Sequence, residues 1–228
     1  GAIKFGAMFE LHIEQGPILE AESKMIGVVT GVQGMRWYEV TVRGQESHTG
    51  ATPMGLRKNA LLGASRMIEA IHQVGMAHLP GVASVGLIEN RPNSRNVVPG
   101  EVFFTVDLRH PDEKVLDRME AEYQVALPKI AAELKLDLEE KCIWKSPAVK
   151  FAPELIKCVQ QGADQAGFTS REMASGAGHD AAYIARVAPT TMIFVPCLGG
   201  ISHNEAESTT LEECGAGAQV LLNAVLAH

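Results

Sequence analysis

The chain has 228 residues, a length suited to one large domain or two modest ones. Apolar residues make up 46% of it, enough for an ordinary globular core, and no run approaches the roughly 18 uninterrupted apolar residues of a membrane helix. The formal net charge of -7, with no basic cluster, argues against a phosphate-tracking surface, so neither nucleic acid nor membrane is an expected partner.

Residues 1–10 do not read as a signal peptide: no basic stretch precedes an apolar run, and no small-residue cleavage site follows. Gly1 is not an initiator Met, which leads us to expect a trimmed chain or a fragment. Cys142, Cys158, Cys197 and Cys214 are widely spaced and form no CxxC, the pattern of reduced thiols in a cytoplasmic protein.

In chain order, residues 7–14 form a short strand-like run. Residues 36–43 alternate, with Tyr38, Val40 and Val42 on one side and Glu39, Thr41 and Arg43 on the other, which predicts a half-buried strand. A helix is predicted over 57–77, where Ala60, Leu61, Ala64, Met67, Ile68 and Ile71 share a face. A less regular strand is expected over 81–89. The next covers 101–109, with Val102, Phe104, Val106 and Leu108 inward and Thr105, Asp107 and Arg109 outward. Asp112 is a good N-cap for a helix carrying Leu116, Met119, Tyr123, Leu127 and Ile130, in which Pro128 should cause a bend or a local defect. A strand over 136–144 completes a βαββαβ order, the ferredoxin-like split pattern. Beyond it lie an amphipathic helix at 153–166, a buried apolar strand at 190–196 and a terminal helix at 209–227, which suggest an α/β layer. The expected architecture is therefore an α/β domain built from 1–33 and 148–228, with an α+β unit, 34–147, inserted into it.

Five segments carry candidate chemistry. On a strand, Glu10, His12 and Glu14 share a face, and an imidazole among carboxylates suits zinc; from the spacing alone a charged surface strand is the favoured reading. His203, in a Gly-rich turn after a buried strand, is a candidate ligand or acid/base, or simply a loop His near a helix start. Around Gly178, His179 and Asp180, small residues allow close backbone approach to an anion, and His179-Asp180 reads either as an oriented pair or as a plain helix start. His48 is the single His of a polar loop. Asn96 and outward-facing Arg109 make the fifth set, since a guanidinium is the preferred partner of a carboxylate. No GxSxG, GxxxxGK[ST], post-strand GxGxxG or HExxH is present.

Taken together, LHIEQGP from Leu11, GVVTGVQGMRWYEVTVRGQESHTGATPM from Gly27, RPNSRNVVPG from Arg91, SGAGHD from Ser175 and GGISHNEAE from Gly199 form a specific set. The set resembles the hydantoinase/carbamoylase branch of the dinuclear-metal amidohydrolases and peptidases. That branch takes in N-carbamoyl-L-amino acid hydrolases, allantoate amidohydrolases, ureidoglycolate-type hydrolases and β-ureidopropionases. The resemblance covers essentially the whole chain, in the family's order.

It implies that 1–33 and 148–228 are part of a dinuclear-zinc peptidase-like catalytic domain, and that 34–147 is a ferredoxin-like lid and dimerisation domain. His12 and His203 then look like metal ligands, within a centre of two divalent ions, Zn or Mn. Gln15 looks like a substrate-facing residue, and Gly178 and His179 belong to a loop closing on the substrate. His48, Asn96 and Arg109 look like lid residues that reach the active site of a partner subunit, His48 polarising the scissile carbonyl and Arg109 gripping a carboxylate. The family's other ligands and its Glu general base belong to an upstream segment this sequence does not contain, so the chain alone is expected to be inactive. The implied reaction is metal-dependent hydrolysis of a C–N bond in a small carboxylated carbamoyl or ureido substrate by a homodimer. Allantoate or ureidoglycolate hydrolysis, and a non-catalytic dimerisation fragment, are the alternatives.

Overall fold

The computed structural model describes residues 4–228. In chain order the elements are β1 (Met8–Ile13), α1 (Ile18–Ala21), β2 (Ile26–Val32), β3 (Gly34–Arg43), β4 (Ser47–His48), α2 (Ala60–Ala77), β5 (Val82–Ser84), β6 (Ile88–Arg91), β7 (Val97–Val98), β8 (Glu101–His110) and α3 (Glu113–Leu134). They continue with β9 (Asp137–Ser146), β10 (Val149–Lys150), α4 (Pro153–Ala166), β11 (Ser170–Ser175), α5 (Asp180–Ile184), β12 (Thr190–Val195) and α6 (Leu211–Ala227). The chain divides into two compact units, residues up to Gln33 with Val149–His228, and Gly34–Ala148. The fold is thus mixed α/β.

The first unit is built on β2 and β12, mostly apolar strands with no in–out alternation. All six residues of β12 are buried, and all but one of β2. Such strands need cover on both faces of the sheet. Strand β12 pairs in parallel with β1, placing His12 opposite Phe194 and Ile13 opposite Val195. It pairs antiparallel with β2, which in turn pairs in parallel with β11. On one face Ile26, Val28, Ile193 and Val195 pack against Val159 and Ala163 of α4 and Ala216, Val220 and Ala224 of α6. On the other face Val29, Met192 and Phe194 pack with Leu19 of α1 and Ala181 of α5. The helix ends are well specified. Pro153 opens α4 and Gly167, in the left-handed region at φ 73°, closes it. Thr210 and Glu213 cap α6 reciprocally.

The second unit has β3 at its centre. It pairs antiparallel with β8 on one side and β9 on the other, and β5 and β6 add to β8, giving the order β5-β8-β3-β9. The expected alternation holds: Tyr38, Val40, Val42, Val102, Phe104, Val106 and Leu108 are buried against α2 and α3. Beneath them lies a polar group. Buried Arg36 bonds Glu120 at 2.5 Å and Glu113 and Asp117 at 2.6 Å, and Tyr38 and Lys145 also donate to Glu120. Burial opposes ionisation of Glu120, but the hydrogen bonds from Lys145 and Tyr38 and the Arg36 charge outweigh it and hold its carboxyl below the usual carboxylate range.

Two expectations change in detail. The strand expected over 81–89 is two pieces, β5 and β6, because the chain leaves the ladder around Gly86 and keeps only a bond from Thr105 to Leu87 between them. Helix α2 begins at Ala60, not 57, since the Asn59 side chain caps the amides of Leu61 and Leu62. Helix α3 runs through Pro128 as one element. Both Pro128 and Gln124 are exposed, and Pro128 has no N–H to offer the Gln124 carbonyl, which is the local defect expected there. Strands β2 and β11 and the short helix α1 were not expected, while α5 takes up the helix start offered at His179-Asp180.

Candidate metal and substrate site

Because β1 and β12 run in parallel, their carboxyl ends lie side by side, and the loops that follow them meet. The Cys197 thiol contacts the Gly16 carbonyl at 3.5 Å, and Gly199 N–H donates to Glu20 at 2.8 Å. Gly200 has φ 65°, and a Cβ there would stand 2.7 Å from the Pro17 nitrogen, so no larger residue fits where the loops touch. This is the usual place for a site in an open α/β sheet.

His12 projects from this end of β1. Its Nδ1 lies 2.9 Å from the Ile13 carbonyl, which fixes the proton there and leaves the Nε2 lone pair to bind. Metal-bound histidines are oriented by the same kind of carbonyl bond. His179 stacks on it edge to face with ring centroids 4.7 Å apart, and also lies 5.6 Å from Phe194. Burial, and then the neighbouring His12, push the His179 imidazole down to about 4. Its Nε2 is 2.8 Å from Ser175 Oγ. His179 is also the N-cap position of α5, whose first turn holds Asp180, so the helix-start alternative is the local structure here. Gly178 is exposed in the same loop, with open space where a Cβ would lie.

The two acidic neighbours of His12 serve the backbone. Glu10 accepts from the Ala181 amide at 2.8 Å, holding the start of α5. Glu14 accepts from the amides of Ile18 and Leu19 at 2.9 and 2.8 Å, holding the start of α1. His203 is exposed on the loop after β12, and its own amide bonds Glu207 at 3.2 Å. Gln15 donates to Ser202 Oγ at 2.8 Å, so the Gln15 and His203 loops are joined. Ser202 and Glu207 stood inside the quoted motif without any signal that marked them.

Among the described residues, no group of three or more His, Cys, Asp or Glu gathers as a metal centre. His12 and His203 have the chemistry of imidazole ligands to a borderline metal, and His12 has the right tautomer. They fit part of a ligand set.

In the second unit, β4 and β7 form a two-stranded ribbon that sets His48 opposite Val97, next to Asn96. Thr49 N–H donates to the Asn96 carbonyl at 3.1 Å. His48 Nδ1 accepts from the amides of Gly50 and Ala51 at 3.0 and 3.1 Å, so Nε2 carries the proton and faces outward as a donor. Arg109 is elsewhere. The His48–Asn96 ribbon adjoins the Glu101 end of β8, where Gly44 bonds Gly100, while Arg109 sits near the other end, opposite Met35. At roughly 3.4 Å per residue, Arg109 is about 27 Å along the strand from Glu101. Its guanidinium grips Asp107, at 2.6 Å from Nη2. The three lid residues expected to act together therefore split within one chain into a pair and a distant third.

The family model for peptidase family M20/M25/M40 matches residues 1–227. The chain belongs to this family. Over 227 residues the M20 chain is 50% identical to an N-carbamoyl-L-amino-acid amidohydrolase of Rhizobium meliloti, covering 99% of this chain and 55% of that one. It is 37% identical over 216 residues to the allantoate amidohydrolase of Escherichia coli K12, covering 94% and 53%. The crystal structure of a hydantoinase/carbamoylase family amidase from Burkholderia multivorans superposes with a TM-score of 0.98 at 53% identity, covering 100% of this chain and 56% of that one. The M20 chain thus spans about half the length of the relatives it matches.

Proposed function

We propose that this chain supplies part of the active site of a metal-dependent amidohydrolase that hydrolyses a C–N bond of an N-carbamoyl-L-amino acid or a similar ureido acid. The observation that carries the reading is His12, which presents Nε2 at the carboxyl end of β1 beside the Gln15–Ser202–His203 loop contact. The named activity of the 50% identical relative supplies the reaction class. His12 and His203 would each hold a divalent ion, Zn or Mn, which when bound supplies a water of lowered pKa. His48 would donate from Nε2–H to the oxygen of the scissile carbonyl as negative charge develops there. Asn96 beside it, and Gln15, Gly178 and His179 on the first unit, would orient the substrate. Arg109 would exchange its Asp107 contact for the substrate carboxylate.

We further propose that Gly34–Ala148 is a ferredoxin-like lid through which two copies pair. Its antiparallel order β5-β8-β3-β9 with two helices on one face supports this. So does the separation of Arg109 from His48 and Asn96, because one small substrate reaches all three only if they come from different chains. The four free cysteines accord with a cytoplasmic protein. No helix of the described residues is long and apolar enough to cross a membrane.

The test is a panel of N-carbamoyl-L-amino acids and allantoate at fixed Mn²⁺ or Zn²⁺ with the full-length protein. Turnover of the carbamoyl substrates supports the main reading. Preference for allantoate selects the second, which the 37% identical relative favours. Turnover of neither rejects both. The 228-residue chain alone is expected to be inactive, and its sedimentation as a stable dimer would support the lid.

A further inference from the structure

We infer that Ser202 and Glu207 are positioning residues that set the polarity of Gln15, so that Gln15 turns its Oε1 toward the substrate as an acceptor for an N–H group. The inference rests on the amidohydrolase reading above and names what one contact recognises.

Ser202 Oγ stands 2.8 Å from Glu207 Oε2 and 2.8 Å from Gln15 Nε2. A hydroxyl has one proton, and a carboxylate only accepts. The charge-assisted bond to Glu207 takes that proton. Ser202 Oγ is then left to accept, and it does so from the amino end of the Gln15 carboxamide. A flipped carboxamide would set two oxygens against each other. The polarity of Gln15 is therefore decided two bonds away, by an exposed carboxylate. With Nε2 committed to Ser202, Gln15 Oε1 is the end of the carboxamide left to meet a substrate.

The backbone points the same way. Gln15 and His203 have φ 59° and 55°, in the left-handed region that residues with a side chain seldom occupy. Such conformations persist where the surroundings over-determine them, often at functional sites. Glu207 Oε2 accepts from the His203 amide at 3.2 Å as well as from Ser202. One carboxylate thus holds the His203 backbone and the Gln15 side chain together.

An acceptor here recognises the terminal –NH₂ of a carbamoyl or ureido group. A formyl group in its place has no N–H to give, and the acceptor would lose its partner in the complex.

The experiment compares kcat/KM for an N-carbamoyl-L-amino acid and the matching N-formyl-L-amino acid in the full-length, metal-loaded protein. Ser202→Ala is expected to lower the carbamoyl value about tenfold more than the formyl value, the scale of one neutral hydrogen bond. Ser202→Thr, which keeps the hydroxyl, is expected to restore the selectivity. Equal losses on both substrates, the result of a purely structural role, would overturn the inference, as would no loss on either. If the wild-type protein hydrolyses neither substrate, the amidohydrolase reading fails first and the inference with it.

Discussion

His12 and His179 meet edge to face, ring centroids 4.7 Å apart and planes inclined at 65°. The contact places an aromatic wall beside the imidazole whose Nδ1 is committed to the Ile13 carbonyl. If His12 is a ligand, His12→Ala in the full-length protein loses bound metal on dialysis and loses more than about 100-fold in turnover, exceeding the roughly 10- to 100-fold cost of removing a group that only orients a ligand. Full retention of metal by the variant would remove His12 from the ligand set.

His48 is exposed, and two backbone amides fix its tautomer. His48→Ala should therefore leave the thermal midpoint nearly unchanged while lowering kcat by about 10²–10³, the usual cost of one oxyanion donor. A change confined to KM would mean that His48 binds the substrate without acting on the charge that develops.

The distance between Arg109 and His48 along β8 leads to a complementation test. Arg109→Ala and His48→Ala homodimers should each be nearly inactive. Mixed and reassembled, they should recover about a quarter of the wild-type activity, because half of the dimers are hybrids and each hybrid has one site with both native residues. No recovery would show that a site draws both residues from one chain.

The Arg36–Glu120 pair gives a pH dependence of stability. The folded-state carboxyl of Glu120 is held below the usual range, so its contribution is present above the ordinary carboxylate pKa and fades as pH falls through the folded value. Glu120→Ala should cost about 1–3 kcal/mol at neutral pH, since it leaves Arg36 and Tyr38 short of one buried partner while Arg36 keeps Glu113 and Asp117. In chemical denaturation that difference should shrink below about pH 4.

Much of the second unit was legible because its strands alternate. Period-two spacing in β3 and β8 and period-3.6 spacing in α2 and α3 depend only on which side chains must leave water. Strand β2 gave no such signal, because a strand covered on both faces shows no alternation. Helix α5 is five residues long and is held by Glu10, which is 171 positions away from the Ala181 amide it accepts. No local pattern reports a partner that distant.

The sequence by itself nominated the candidate site residues: His12, Gln15, His48, Asn96, Arg109, Gly178, His179 and His203 all lie in motifs readable from the chain. The tertiary structure decided how they group. Parallel pairing of β1 with β12 brings the Gln15 and His203 loops together across 187 positions, and the length of β8 keeps Arg109 from His48. Tautomer and polarity were also settled only there. Which nitrogen of His12 or His48 holds its proton, and which end of Gln15 faces Ser202, depends on hydrogen-bond partners placed by folding and not on the identity of the side chain.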